Sequence, residues 1–345
     1  MIRNKTVFFS LAGLLLVVLF ATNLIYGAVS IPLTAVMSIL GGGDGSNAAW
    51  QHIVMLSRLP QAVTALFAGS SLAVSGLLLQ TLFRNPLAGP SILGISDGAN
   101  LGVAIMMLLL GNSFVIFSAY SLSGSMAIII SAFVGACLIL GVIIYFSTKV
   151  SSPVMLLIIG IMIGFLASSV ISILNFYSAA DRVRAYVMWG LGNFSGVSVD
   201  RMPFFIIASS IGLFISVMLI KPLNALLLGE MYASNLGVKV RRTRIIILFC
   251  TGLLTATVTA FCGPVSFIGL AVPHIARLML GSSNHNLLLP VTIIAGAAVA
   301  LLCNLLTVFP GSDSILPLNA ITPIVGAPVI IYVIVNRKNI HYFNN

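Results

Sequence analysis

The chain carries almost no charge: 6 Asp or Glu and 16 Lys or Arg in 345 residues, or 6% charged. Soluble globular domains carry about 25%. A soluble protein must face water over its whole exterior, and a chain that is 59% hydrophobic has too few polar residues to cover one. Lipid removes that requirement. No polar stretch is long enough for a second, soluble domain, so residues 1–345 are expected to form a single transmembrane domain. The net charge of +10 comes without a dense basic patch interleaved with aromatics, which excludes a nucleic-acid partner. The 4 cysteines (Cys137, Cys250, Cys262, Cys303) lie in or beside apolar runs with no CxxC spacing and read as small packing residues that say nothing about metals; no convergent ligand set appears elsewhere, and no metal site is expected.

Signatures of covalent chemistry are missing too. There is no GxxxxGK[ST] phosphate loop, no HExxH and no GxSxG elbow. ATP is therefore not expected to bind this chain in that way, and an enzyme is not expected. Proton- or sodium-coupled carriers ordinarily hold Asp or Glu at membrane depth. Here Asp97 is the one candidate, and its place after a Gly-rich turn predicts a helix cap. The chain holds no evident energy source of its own.

What is present is length. A helix needs about 20 mainly apolar residues to cross the hydrocarbon core. Such runs lie near 7–29, 59–82, 122–146, 154–177, 203–220, 244–262, 287–308 and 316–335, with two shorter ones near 97–110 and 266–280. The reading is an all-α membrane protein of ten spans. Arg3 and Lys5 before Val7–Phe20 resemble a secretory leader, but the apolar run continues to Val29, so it is kept as the first helix. With ten spans, twelve of the Lys and Arg residues fall on the side of the termini, and Arg58, Arg182, Arg184 and Arg201 fall on the other. The positive-inside rule then puts both termini in the cytoplasm.

Glycine is abundant, and Gly69, Gly76, Gly135 and Gly141 lie inside spans, where small residues let helices approach closely. Two segments break the helical pattern: Arg84–Gly94 and Gly263–Pro273, each with Gly-Pro beside a short span. Irregular backbone at membrane depth must be satisfied by protein or line a wet cavity. The first break follows an outside-to-inside span and the second an inside-to-outside one, which predicts an inverted repeat near 59–178 and 244–335. His274 and Arg277, at i and i+3, share a helical face; the histidine is expected to bond helix ends rather than a metal.

The longest hydrophilic inner stretch runs from Pro222 to Arg244, with Pro222 and Gly237 bracketing a short helix. It is either a connector whose basic residues touch lipid headgroups or a docking surface for a cytoplasmic partner. The outer loop 177–200 holds Asp181, Arg182, Arg184, Tyr186 and Trp189, as interfacial belt residues or as the lining of a mouth.

An ordered series of motifs joins these features: Arg58-Leu59-Pro60, Ser75–Gln80, Arg84–Ala88, Leu93–Ala99, Met188-Trp189-Gly190, Leu236-Gly237-Val238, Gly263-Pro264, Phe267–Leu270, Pro273-His274-x-x-Arg277 and Ile324–Pro328. In that series the sequence resembles the FecCD family, permease subunits of bacterial ABC importers for iron–siderophore complexes, haem and vitamin B12. The resemblance implies a type II importer permease of the bacterial inner membrane, working with a second permease subunit in a homodimer. It also implies two cytoplasmic ATP-binding subunits, which hold the ATP, and a periplasmic or lipid-anchored substrate-binding protein. It implies that the loop carrying Gly229, Glu230, Ala233, Leu236 and Gly237 inserts into a groove of the ATPase. Asp181 and Arg182 would line the pathway, Ser151 and Ser152 would lie near the inner gate, and Arg58 would dock the binding protein. The sequence departs from the family at Gln61 and Val308, where further basic residues are usual. It departs again at Asn304 in place of Asp, and at Ile315 and Asn319 in a usual Glu-Leu-Pro-x-Gly. The alternative reading is a self-sufficient secondary transporter or channel.

Overall fold

A computed structural model describes residues 5–43, 47–110, 122–150, 152–308 and 316–335. Its helices, in chain order, are α1 (Lys5–Ile25), α2 (Leu33–Leu40), α3 (Ala48–Ile53), α4 (Leu59–Phe83), α5 (Ile95–Ala104), α6 (Leu122–Lys149), α7 (Pro153–Tyr177) and α8 (Ala180–Gly190). They continue as α9 (Met202–Met218), α10 (Ile220–Leu227), α11 (Glu230–Asn235), α12 (Val240–Cys262), α13 (Ile268–Leu280), α14 (His285–Leu306) and α15 (Leu318–Val335). Among the described residues, seven helices are long and apolar enough to cross a membrane. Three shorter apolar helices, Ile95–Leu109, Ile268–Leu280 and Leu318–Val333, fall where sequence reading puts spans. In hydrocarbon a helix is favoured because every backbone group finds its partner within its own segment.

Differences from the sequence expectation have local causes. The first helix stops at Ile25 rather than near residue 29, and the small helices α2 and α3 follow it. A π-helical turn, Val54–Arg58, fuses α3 to α4 into one 36-residue helix, Ala48–Phe83. Asp97 does not cap α5: Gly94 holds that position with φ 73°, and Asp97 sits in the first turn. There its carboxylate faces Gly164 of α7, where a Cβ would stand 2.6 Å from Oδ2. The inner loop holds two short helices, α10 and α11, parted at Gly229 with φ 106°.

α4 is the axis of the fold, buried on all sides from Ala68 to Phe83. It packs on α14, α13, α12 and α9. A helix buried all round carries no polar stripe, which is why α4 shows little amphipathicity. The contacts are backbone to backbone. A Cβ on Gly76 would fall onto the Gly269 carbonyl, one on Gly69 onto the Gly296 carbonyl, and one on Gly135 onto the Gly98 carbonyl. Gly141, by contrast, has nothing within 4 Å of its added carbon. α1 turns Leu11 and Leu14 outward, as a lipid-facing helix does, and α7 leaves Ile158, Phe165 and Leu166 exposed.

Hydrogen bonds gather the helix ends into two opposite faces. On one face, Thr81 near the end of α4 bonds His285 at the start of α14 (2.9 Å), and His285 bonds Asn224 of α10 (3.0 Å). On the other, Gln61 near the start of α4 bonds Asn304 near the end of α14 (3.0 Å), and Asn304 bonds Asn23 of α1 (2.8 Å).

Candidate functional site

The first face carries the segment 229–238. Gly229, at φ 106° and ψ 157°, occupies backbone space open essentially to glycine alone. It lets the chain leave α10 and start α11 at once. At the far end the Gly237 amide donates to the Ser234 carbonyl (2.9 Å) and the Val238 amide to the Ala233 carbonyl (3.0 Å). With Gly237 at φ 83°, this pairing is the Schellman closure of a helix. Nothing lies within 4 Å of a Cβ on Gly237, so the glycine is needed for conformation rather than space. Ala233 is fully buried and seats α11 on the body of the protein. Met231, Tyr232 and Leu236 are 82%, 66% and 66% exposed, an apolar ridge at the end of the molecule where basic residues gather.

The base of that ridge is fixed electrostatically. Glu230 Oε1 accepts from Arg244 Nη2 at 2.7 Å, and Arg244 Nη1 donates to the Val150 carbonyl at 3.1 Å. Arg84, in the left-handed region at φ 46°, closes α4 with its guanidinium beside Gly229. Of the residues expected at the inner gate, Ser152 is the extended residue that precedes α7, and Ser151 lies outside the described residues.

The two broken segments meet at the centre. Pro90, opening the 3₁₀ turn Pro90–Leu93, packs its ring on Gly269. His274 Nε2 donates to the Pro86 carbonyl (2.7 Å). Gln80 Nε2 donates to the Leu270 carbonyl (3.2 Å), while Gln80 Oε1 accepts from Arg277 Nη1 (2.5 Å). Asn319 donates to the Pro264 carbonyl (2.7 Å) and the Gly190 carbonyl (3.2 Å), and accepts from the Ser266 amide (3.0 Å). Backbone freed by each break is thus answered by a side chain from another helix, as burial in lipid requires. Phe267 holds φ 67° at the start of α13, a strained conformation for a residue with a Cβ.

On the second face, Asp181 is exposed in the first turn of α8, where the helix dipole favours an anion. Arg182 Nη1 donates to the Leu108 carbonyl (2.9 Å) at the end of the Ile105–Leu109 π-turn that extends α5. Burial, with Asp97 adding to it, pushes the Tyr186 phenol up to about 12, so it stays neutral at any physiological pH. Its ring stacks near Trp189 with centroids 6.3 Å apart.

Arg58 is not the outward-facing charge that sequence reading expects. It is buried, and its guanidinium caps the end of α1, donating to the carbonyls of Leu24 (2.9 Å), Ile25 (2.6 Å) and Val29. Its position still borders the second face: Arg58, Gln61, Asn304 and Val308 line one small cavity of about 160 Å³ with Tyr26 and Ser57. Ile315 lies outside the described residues. The structure brings Glu230, Ala233, Leu236 and Gly237 together on the first face and sets Arg58, Asp181 and Arg182 on the second. Asn319 and Arg244 acquire roles that sequence reading does not assign. Their only signals there are an Asn where a Gly is usual, and a cation at the mouth of an apolar helix.

A helical membrane domain with irregular, protein-satisfied breaks and an exposed apolar ridge at one end is consistent with a transport permease. The match to the FecCD transport family extends over residues 15–336, and the chain belongs to that family. It is 32% identical over 296 residues to the vitamin B12 import system permease protein BtuC of Klebsiella pneumoniae, covering 86% of both chains. Against the protein of the same name from Citrobacter koseri it is 32% identical over 312 residues, covering 89% of this chain and 92% of that one. A solved structure described as a metal-chelate type ABC transporter in an inward-facing conformation superposes with a TM-score of 0.82. It is 29% identical and covers 97% of this chain and all of that one.

Proposed function

We propose that this chain is the permease subunit of an ATP-binding-cassette importer and forms the pathway for a metal chelate, a class that includes iron–siderophore complexes, haem and cobalamin. The observation that carries this is α11: a six-residue helix seated by buried Ala233, closed by Gly237, and presenting Met231, Tyr232 and Leu236 outward. A ridge so exposed at the end of a membrane protein is suited to a groove in a cytoplasmic partner. The partner is a pair of ATP-binding subunits, which bind the ATP and supply the drive. Names and descriptions of the relatives support the cargo class.

All ten apolar helices cross the bilayer in this reading, as one membrane domain over 1–345 with both termini in the cytoplasm. Lys149, Lys239, Arg241, Arg242 and Arg244 on the first face support that orientation. The order long helix, break, short helix, two more helices occurs from α4 to α7 and again from α12 to α15, which supports an inverted repeat. A second copy completes the pathway as a homodimer, and a periplasmic or lipid-anchored binding protein delivers cargo to the second face. α7 and α8, with Asp181 and Arg182, form one wall of that pathway, and its inner gate lies at Ser152, where α7 begins, with Ser151 before it in sequence. The chain does no covalent chemistry.

Co-purification tests the docking. Co-expressed with its ATP-binding subunit, the wild-type chain is expected to retain it through affinity purification. The double variant Met231→Glu, Leu236→Glu is expected to lose it while still inserting in the membrane. Undiminished retention by the double variant would contradict the role of α11.

A further inference from the structure

Lys239, Arg241, Arg242 and Arg244 stand within six residues at the start of α12, and only one of them is built in. Lys239, Arg241 and Arg242 are exposed, as cations that only set topology would be. Arg244 is 6% exposed, and taking a guanidinium out of water is unfavourable unless its donors are matched. Two of its donors are matched by two different parts of the protein. Nη2 reaches Glu230 Oε1 at 2.7 Å, and Nη1 reaches the Val150 carbonyl at 3.1 Å.

Both partners are terminal positions. Glu230 is the first residue of α11. Val150 follows the last residue of α6, where its own amide still bonds the Phe146 carbonyl (2.9 Å), and it leads into the turn that starts α7 at Pro153. Glu230 and Val150 share no direct bond to each other, and Arg244 stands between them. A guanidinium is planar, and its two Nη groups keep a fixed separation. A shift of Glu230 therefore carries the Val150 carbonyl with it or breaks a part-buried, charge-assisted bond.

We infer that Arg244 is the positioning residue through which movement of the partner-facing helix α11 reaches the α6–α7 turn. This rests on the importer reading above. It adds that coupling enters the membrane at one buried fork, not through the loop as a whole. In this reading Arg244 handles neither ATP nor cargo itself. Its effect falls on the ratio between them.

The test uses the complete importer, with permease, ATP-binding subunits and binding protein, reconstituted in vesicles with loaded binding protein inside or out as orientation demands. Cargo moved per ATP hydrolysed is measured. Coupling between sites is commonly worth about 5- to 150-fold. Arg244→Ala is accordingly expected to lower cargo per ATP on the order of tenfold while the ATP-binding subunits still co-purify. Arg244→Lys keeps the charge but replaces the rigid planar fork with one flexible ammonium, and is expected to fall in between; it supplies the reading if the alanine variant does not assemble. The exchanged pair Glu230→Arg, Arg244→Glu restores the ion pair, but a carboxylate at 244 cannot donate to the Val150 carbonyl. It is expected to remain uncoupled. Wild-type cargo per ATP in Arg244→Lys, or full recovery in the exchanged pair, would overturn the proposal. A wild-type chain that moves cargo without ATP, or never retains an ATP-binding subunit, would instead overturn the importer reading itself.

Discussion

The ring of Pro90 rests on Gly269: a Cβ added to that glycine would stand 2.8 Å from the proline Cγ and Cδ. Each residue belongs to one of the two broken segments, so the interruptions of the membrane helices lean on each other. Behind Gly269 lies α4, whose Gly76 meets the Gly269 carbonyl. The junction is thus three backbones thick with almost no side chain between them. Packing of this kind replaces the hydrophobic effect, which lipid does not supply between helices.

Gly76→Ala should therefore destabilise the protein, because the atom it meets is a backbone carbonyl that cannot rotate away. Overpacking of this kind costs about 1–3 kcal/mol. Gly141→Ala, with open space around the added methyl, should be neutral or slightly stabilising. Thermal unfolding of the two variants in one detergent checks both. Equal melting temperatures would contradict the packing described.

Gly237→Pro should uncouple the protein without preventing insertion. Proline fixes φ near −65°, whereas Gly237 sits at 83°, and proline also removes the amide that bonds Ser234. The Schellman closure is lost and α11 loses its exit. Gly237→Ala keeps the amide and should be milder, since a left-handed conformation costs about 1–2 kcal/mol in a residue with a Cβ. ATP-dependent uptake in vesicles, normalised to membrane-inserted protein, is expected to fall in the order wild type, alanine, proline.

Arg58→Ala should act on stability more than on docking. It removes the donors that close the end of α1, leaving the Leu24, Ile25 and Val29 carbonyls to find other partners. Hydrogen bonds from a charged group are each worth about 1.5–3 kcal/mol. The melting temperature is expected to drop, while the affinity of the binding protein and its salt dependence change little. Loss of salt-dependent binding at an unchanged melting temperature would restore the docking role that sequence reading gives this residue.

Much of the fold is legible in the sequence, because lipid forces each crossing to be a long apolar helix and leaves cations at the ends. The breaks are legible as Gly-Pro pairs, though not that they touch, since Pro90 and Gly269 meet only once α4 has been packed. Arg58 misleads for a related reason. Its cap is α1, with Ile25 33 positions earlier, and nothing near residue 58 announces that carbonyls are waiting. Asn319 reads as the loss of a usual glycine, yet it joins α8 to the second break through three bonds. The loop 222–244 reads as one short helix because Pro222 and Gly237 bracket it, and only the backbone at Gly229 divides it. Arg244 reads as one more inward cation until its burial separates it from its neighbours.

In the proposed importer this chain is a gated pathway whose motor lies in another subunit. Uptake of a chelate by vesicles holding the permease alone, and then the permease with its ATP-binding subunits and binding protein, tests it most directly. No accumulation is expected from the chain alone under a proton or sodium gradient, and ATP-dependent accumulation is expected from the complete set. Gradient-driven accumulation by the chain alone would contradict it.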